Sequence, residues 1–280
     1  MKTAFIKILA ISTLAAASLH SCKTGNEPEI RYSIFCDHIR EMATQEGITF
    51  AEACAKVKEM GYEGTDISVP TSEEDLAIIK EAGLETPCGI TWLYFTDGEM
   101  TEQIEQALSF ISDKGLEKVL LIPGFMTEEF SEEDWNVMVG RIRNFTLKAA
   151  EAGCQVLLED FDNLSSPCSN IERLSRIFDA VPEIGHVFDS GNYLFSGEDA
   201  LEALDKFLPR IKHVHLKDRV ATDDMSCPAV GEGCIPIREA VQTLKANGYN
   251  GWLTVEFYGS KHMLDDADKS ITNLKQYTTI

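Results

Sequence analysis

The chain has 280 residues, of which 46 are acidic and 25 basic, for a formal charge of −21. A hydrophobic content of 44% with 25% charged residues belongs to a globular protein and excludes a disordered tail. The acidic balance, with no Lys/Arg-rich run, excludes nucleic acid as a partner, because a phosphate backbone needs a field of the opposite sign.

In chain order, Lys2 and Lys7 lead into a continuous run of small and apolar residues from Ile8 to Leu19. Such a run is too short to cross a bilayer, which takes about 20 residues, and it reads as a secretory signal. Leu19-His20-Ser21-Cys22 resembles a bacterial lipoprotein cleavage box with Cys22 as the lipid acceptor. His20 stands where a small residue is usual, and an ordinary signal peptide cut nearby is the alternative. Residues 1–22 are thus read as a lipoprotein signal peptide, 23–30 as a tether and 31–280 as one folded domain. This predicts an extracytoplasmic protein, periplasmic or at the outer membrane, that meets the membrane only through its lipid. Seven cysteines remain after Cys22, an odd number without zinc-site spacing. Cys227 and Cys234 flank a short loop and are the candidate disulfide; the others read as small buried residues.

From Arg31 onward a short apolar run and an amphipathic stretch alternate. Strands are expected at Tyr32–Cys36, Gly64–Ile67, Cys88–Leu93, Lys118–Ile122, Gln155–Glu159, His186–Asp189, His213–Leu216 and Leu253–Phe257. Helices are expected at Phe50–Met60, Glu73–Ala82, Glu102–Lys114, Glu132–Ala152, Asn170–Ala180, Ala200–Phe207, Ile237–Asn247 and Asp265–Gln276, several of them followed by a glycine stop. Eight such units in about 250 residues have the count and size of a (β/α)8 TIM barrel. A doubly wound open sheet is the competing α/β architecture, but the only G-x-G, Gly231-Glu232-Gly233, comes late and follows no early strand.

Four successive strands close on a polar group: Glu159, Asp189, His215 and Glu256. In a barrel those ends converge on one face. A carboxylate closing a buried apolar strand costs several kcal/mol unless it is paired or metal-bound. Three carboxylates and an imidazole together call for a cation, and oxygen-rich ligation with one nitrogen suits a single Mn, Mg, Co or Zn ion. A lone acidic residue at a strand end is more often a cap or loop contact; it is the run of four that carries the argument. His213 lies deeper on the same face as His215 and reads as a core or supporting residue.

These residues sit in motifs that resemble the xylose isomerase-like barrels, also called sugar phosphate isomerases/epimerases. The resemblance is most specific in Leu157-Leu158-Glu159, Phe188-Asp189-Ser190-Gly191-Asn192, His213-Val214-His215-Leu216-Lys217-Asp218 and Gly248-Tyr249-Asn250-Gly251 running into Val255-Glu256. Gly61-Tyr62-Glu63-Gly64 and Val230-Gly231-Glu232-Gly233 look similar too. The resemblance implies that Glu159, Asp189, His215 and Glu256 hold one divalent ion, and that Glu159 and Glu256 exchange the substrate proton. Departures narrow it. Family epimerases often carry His three residues after the strand-six Asp, where this chain has Asn192. The substrate arginine of some epimerases has no match at Ala221, although Arg219 is close. The extra histidines of apurinic-site endonucleases are missing, as are ligands for a second metal.

The implied chemistry is proton abstraction beside a carbonyl to give an enediolate, followed by epimerisation, isomerisation or loss of a β substituent. A metal-dependent sugar isomerase or epimerase is the first reading. A lyase acting on 3-keto-glycosides through the same enolate is the second, and a sugar-binding lipoprotein without turnover the third. Further candidates for substrate contact are Asn192, Lys217, which shares the face of His215, His38 after the first strand, and Trp92 after the third. Lys217 has a solvated lysine as its alternative, and Trp92 a loop aromatic packed on helices. An exported location favours a neutral keto-sugar, an oxidised cyclitol or a 3-keto-glycoside over a phosphosugar.

Overall fold

The computed structural model describes residues 30–279; the signal and Cys22 lie outside them. Eight strands, β1 (Arg31–Phe35), β2 (Gly64–Ser68), β3 (Gly89–Trp92), β4 (Lys118–Ile122), β5 (Gln155–Glu159), β6 (Gly185–Asp189), β7 (Ile211–Lys217) and β8 (Trp252–Glu256), pair in chain order. All pairs are parallel, and β1 closes on β8. Around this (β/α)8 barrel lie α1 (Cys36–Glu46), α2 (Phe50–Met60), α3 (Glu73–Glu81), α4 (Thr101–Lys114), α5 (Glu132–Glu151), α6 (Ile171–Ala180), α7 (Ala200–Phe207), α8 (Ile237–Ala246) and α9 (Met263–Thr278). The helices start where the side chains allow. Thr49 and Glu52 cap α2 reciprocally, and Ser131 and Asp134 do the same for α5. Among the described residues no helix is long and apolar enough to cross a membrane.

The first unit departs from expectation. Cys36 does not end a strand; it opens α1, which no expected helix covered. Its buried positions Cys36, Ile39, Met42 and Ala43 follow the spacing of one helix face. Ile30, counted with the tether, is already buried in the core. Cys227 and Cys234 are free thiols, so the candidate disulfide is not formed.

Side chains alternate along each strand, so every second residue points into the barrel. Between β3 and β6 the interior is apolar: Cys88, Leu120, Ile122, Leu157 and Val187 form a cluster of their own, with Ile90 and Phe161 against it. From β7 round to β2 it is polar. Ser33, Asp66, His213, His215 and Thr254 are all fully buried there and joined by hydrogen bonds.

Candidate metal centre

The four expected ligands meet at the barrel mouth in a stagger, Glu159 on β5 pairing with Val187, two residues before Asp189. Asp189 on β6 stands beside His215 on β7, and Lys217 beside Glu256 on β8. One ligand atom from each of Glu159, Asp189, His215 and Glu256 lies within 4.8 Å of all the others. All four residues are buried.

Each group is aimed by its surroundings. Asp189 Oδ1 accepts the backbone N–H groups of Gly191 (2.7 Å) and Asn192 (2.8 Å). Its Oδ2, fully buried, has no hydrogen-bond partner among the described residues and is turned toward the cluster. Gly191 is required at this turn, since a Cβ there would sit 2.6 Å from the Lys217 carbonyl oxygen. His215 Nδ1 faces Glu159 Oε1, and its Nε2 donates to Asp66 Oδ2 at 3.1 Å. Asp66 also accepts from His213 Nε2 at 2.7 Å. Burial alone would raise the Asp66 carboxyl, but the two imidazoles outweigh it and hold Asp66 below the usual carboxylate range. Burial likewise opposes a charge on His215, and the neighbouring Glu159 and Asp66 carboxylates overcome it and hold its imidazole well above the ordinary value.

The donor set fits a divalent cation. Three carboxylates and one imidazole nitrogen converge, with an orphaned buried oxygen on Asp189 and an imidazole already fixed from behind by a carboxylate. Burial raises the carboxyls of Glu159 and Glu256, the latter to about 8 even with the Lys217 ammonium beside it.

Lys217 is not a solvated surface lysine. It is buried, its Nζ lying 2.5 Å from Glu256 Oε1 and donating to Asn192 Oδ1 at 2.8 Å. Burial disfavours its charge, but Asp189, Glu256 and Asp162 outweigh that and hold the ammonium well above its ordinary value. Asn192 Oδ1 also accepts from Arg219 (3.3 Å), and its Nδ2 donates to the Asp160 carbonyl (2.9 Å). Asn192 therefore holds Lys217 and Arg219 in place. His38 is buried in α1; its Nε2 accepts the Phe257 N–H at 3.0 Å and its ring stacks on Phe257. It braces the wall of the mouth rather than opening onto it. Trp92 is 48% exposed at the end of β3, edge-on to Phe161 at 5.8 Å.

Asp66, Asp162 and the clasp of Asp218 were not singled out from sequence. Asp66 had a signal, an acidic residue inside the strand Gly64-Thr65-Asp66-Ile67. Asp162, 3.0 Å from Arg219, sits in a loop with no pattern to mark it. Asp218 accepts backbone N–H groups from Arg219, Gly231, Gly233 and Ile235. That accounts for Gly231-Glu232-Gly233: a Cβ on Gly233 would lie 2.3 Å from Asp218 Oδ1.

A family profile described as xylose isomerase-like TIM barrel matches residues 54–277. The chain belongs to that family. Among curated relatives, inosose dehydratase from Clostridium botulinum is 24% identical over 267 positions, spanning 82% of this chain and 86% of the relative. Solved barrels of the same fold include the apo form of 3-keto-D-glucoside 4-epimerase from E. coli, with a TM-score of 0.68 and 19% identity over 89% of this chain and 100% of that one. Another is a xylose isomerase-like TIM barrel protein from Mycobacterium smegmatis in complex with magnesium, at TM-score 0.66 and 18% identity over 90% and 96% of the two chains. The xylose isomerase-like barrel of this chain is thus shared with proteins named as a dehydratase and an epimerase.

Proposed function

We propose that this barrel is a divalent-metal-dependent enzyme that enolises a keto-carbohydrate, with epimerisation or isomerisation as the outcome. The observation that carries the reading is the pair Glu159 and Glu256, buried on β5 and β8 on two sides of one ligand cluster. An ion held by Glu159, Asp189, His215 and Glu256 would supply Lewis-acid polarisation of a carbonyl and an adjacent hydroxyl. One glutamate takes the proton from the carbon beside the carbonyl, and the other returns a proton from its own side. Lys217, 2.5 Å from Glu256, steadies the charge that passes between these groups, and Asn192 keeps its ammonium in place. The apolar interior beneath, from Leu120 to Val187, keeps water from the floor of the site.

The similarity to inosose dehydratase favours a second reading in which the same enolate expels a β substituent. One experiment serves both. Keto-sugars and inososes are incubated with manganese-loaded protein in deuterated water and followed by NMR. Deuterium wash-in beside the carbonyl is expected, and Glu159→Gln and Glu256→Gln, compared at saturating metal, should each lose at least about 100-fold in turnover. A stereoisomer as product favours the first outcome, and an unsaturated product the second. No wash-in across the panel, or variants that turn over like wild type, overturns enolisation and leaves the sugar-binding alternative. We further propose, from the sequence alone, that the barrel is tethered outside the cytoplasm through a lipid on Cys22. Fatty-acid analogue labelling that is lost in Cys22→Ala tests this, and equal labelling of both overturns it.

A further inference from the structure

Each of the two glutamates is followed, two positions on, by an aromatic ring: Phe161 after Glu159 and Tyr258 after Glu256. Phe161 packs on the apolar interior cluster and carries Trp92 edge-on at 5.8 Å. Tyr258 stands edge-on to His38 at 4.5 Å and to Phe35 at 6.0 Å, and Phe35 in turn meets the His215 ring at 4.7 Å. Both walls are thus tied to the ligand cluster. Their outer rings are open to solvent, Trp92 by 48% and Tyr258 by 49%, whereas the other two tryptophans, Trp135 and Trp252, are 6% and 8% exposed.

Trp92 ends β3 and Tyr258 lies two residues past the end of β8, so both belong to the carboxyl-end mouth of the barrel, where the ligand cluster also lies. A single sugar held at the cluster leaves these rings uncovered; a ring attached to that sugar reaches them. Outside the ligand cluster and Lys217, the charge that acts on the Tyr258 ring is an anion, Asp37. The cations nearest the cluster, Lys217 and Arg219, are taken up by Glu256 and Asp162. The surface therefore suits a neutral ring with an apolar face and offers nothing to a phosphate. We infer that Trp92 and Tyr258 form a second subsite, which receives the aglycone or second sugar of a neutral keto-glycoside. This rests on the keto-carbohydrate reading and narrows its substrate to a molecule of two rings.

The test compares methyl and phenyl 3-keto-β-D-glucopyranoside on manganese-loaded protein, by saturation-transfer NMR and by fluorescence titration of the one exposed tryptophan. The phenyl compound should bind about tenfold more tightly, at the upper end of a ring–ring contact, with its aromatic protons saturated most strongly. Trp92→Ala should abolish that advantage, Tyr258→Ala should reduce it, and Trp92→Phe should keep it, with the methyl compound bound alike by all. Equal affinity for the two compounds, failure to bind either, or an advantage that survives both alanine variants overturns the subsite. The ratio of two affinities does not depend on proton transfer. Discrimination without wash-in would remove enolisation and leave the subsite, and wash-in without discrimination would do the reverse.

Discussion

The two halves of the barrel interior are built by opposite rules. Between β3 and β6 the inward positions are Ile90, Leu120, Ile122, Leu157 and Val187, and they fill space. From β7 to β2 they are His213, His215, Thr254, Ser33 and Asp66, and each answers another through a hydrogen bond. The apolar half is held by burial, which is non-directional and tolerates exchange between side chains of similar volume. The polar half is held by a chain of partners, where one loss leaves a buried group unsatisfied. The ligand cluster lies above both. Glu159 and Asp189 rise from the strands of the apolar half, and His215 and Glu256 from those of the polar half. One half therefore sets the stability of the floor, and the other sets the aim of the ligands.

That division can be broken at either side. The largest effect is expected from Leu157→Ala, which opens a cavity under Glu159 and should destabilise the fold by about 2–5 kcal/mol. Denaturant titration reads the loss, and manganese affinity of the folded variant should stay within a few-fold of wild type. A collapse of affinity would mean that the apolar half also aims the ligands. Next, manganese at about 100 times its dissociation constant should raise wild-type stability by about 2.7 kcal/mol, reversed by chelator. Leu157→Ala should show the same increment, and no increment in either protein would remove the metal site. Smaller again is Asp66→Asn, which keeps the shape behind His215 but loses the carboxylate charge. Calorimetry should find manganese affinity about 10–100-fold weaker. Wild-type affinity would reduce Asp66 to a packing residue.

Much of this was legible in the chain. Barrel closure follows from eight alternations, and the four ligands from where apolar runs such as Val156-Leu157-Leu158 stop. What stayed hidden has a common cause. Helix α1 was missed because the buried face of Cys36, Ile39, Met42 and Ala43 is narrow and interrupted by charge. Lys217 was ambiguous because a lysine beside a strand end is buried only when carboxylates from other strands arrive to meet it. Those carboxylates, Glu256 and Asp162, lie far along the chain. The role of Asn192 depends in the same way on Lys217 and Arg219, a whole βα unit further along the chain. Local pattern reports what one element buries, and these roles exist only where several elements meet.

The Asp218 clasp has a consequence for how this barrel can change. Its four N–H donors come from residues 219 to 235, and the Cys234 N–H closes onto the Arg219 carbonyl at 2.7 Å. The excursion that begins at Val220 therefore leaves and re-enters the fold through a fixed gate just past Lys217. Behind such a gate, length and composition can drift at the exposed tip, residues 222–224, while Met225, which accepts from Arg219, and the buried Ala229 and Val230 hold the rest of the excursion to the barrel. The barrel thus carries a graft point beside its reaction centre, where new recognition can be added by insertion while the chemistry stays in register.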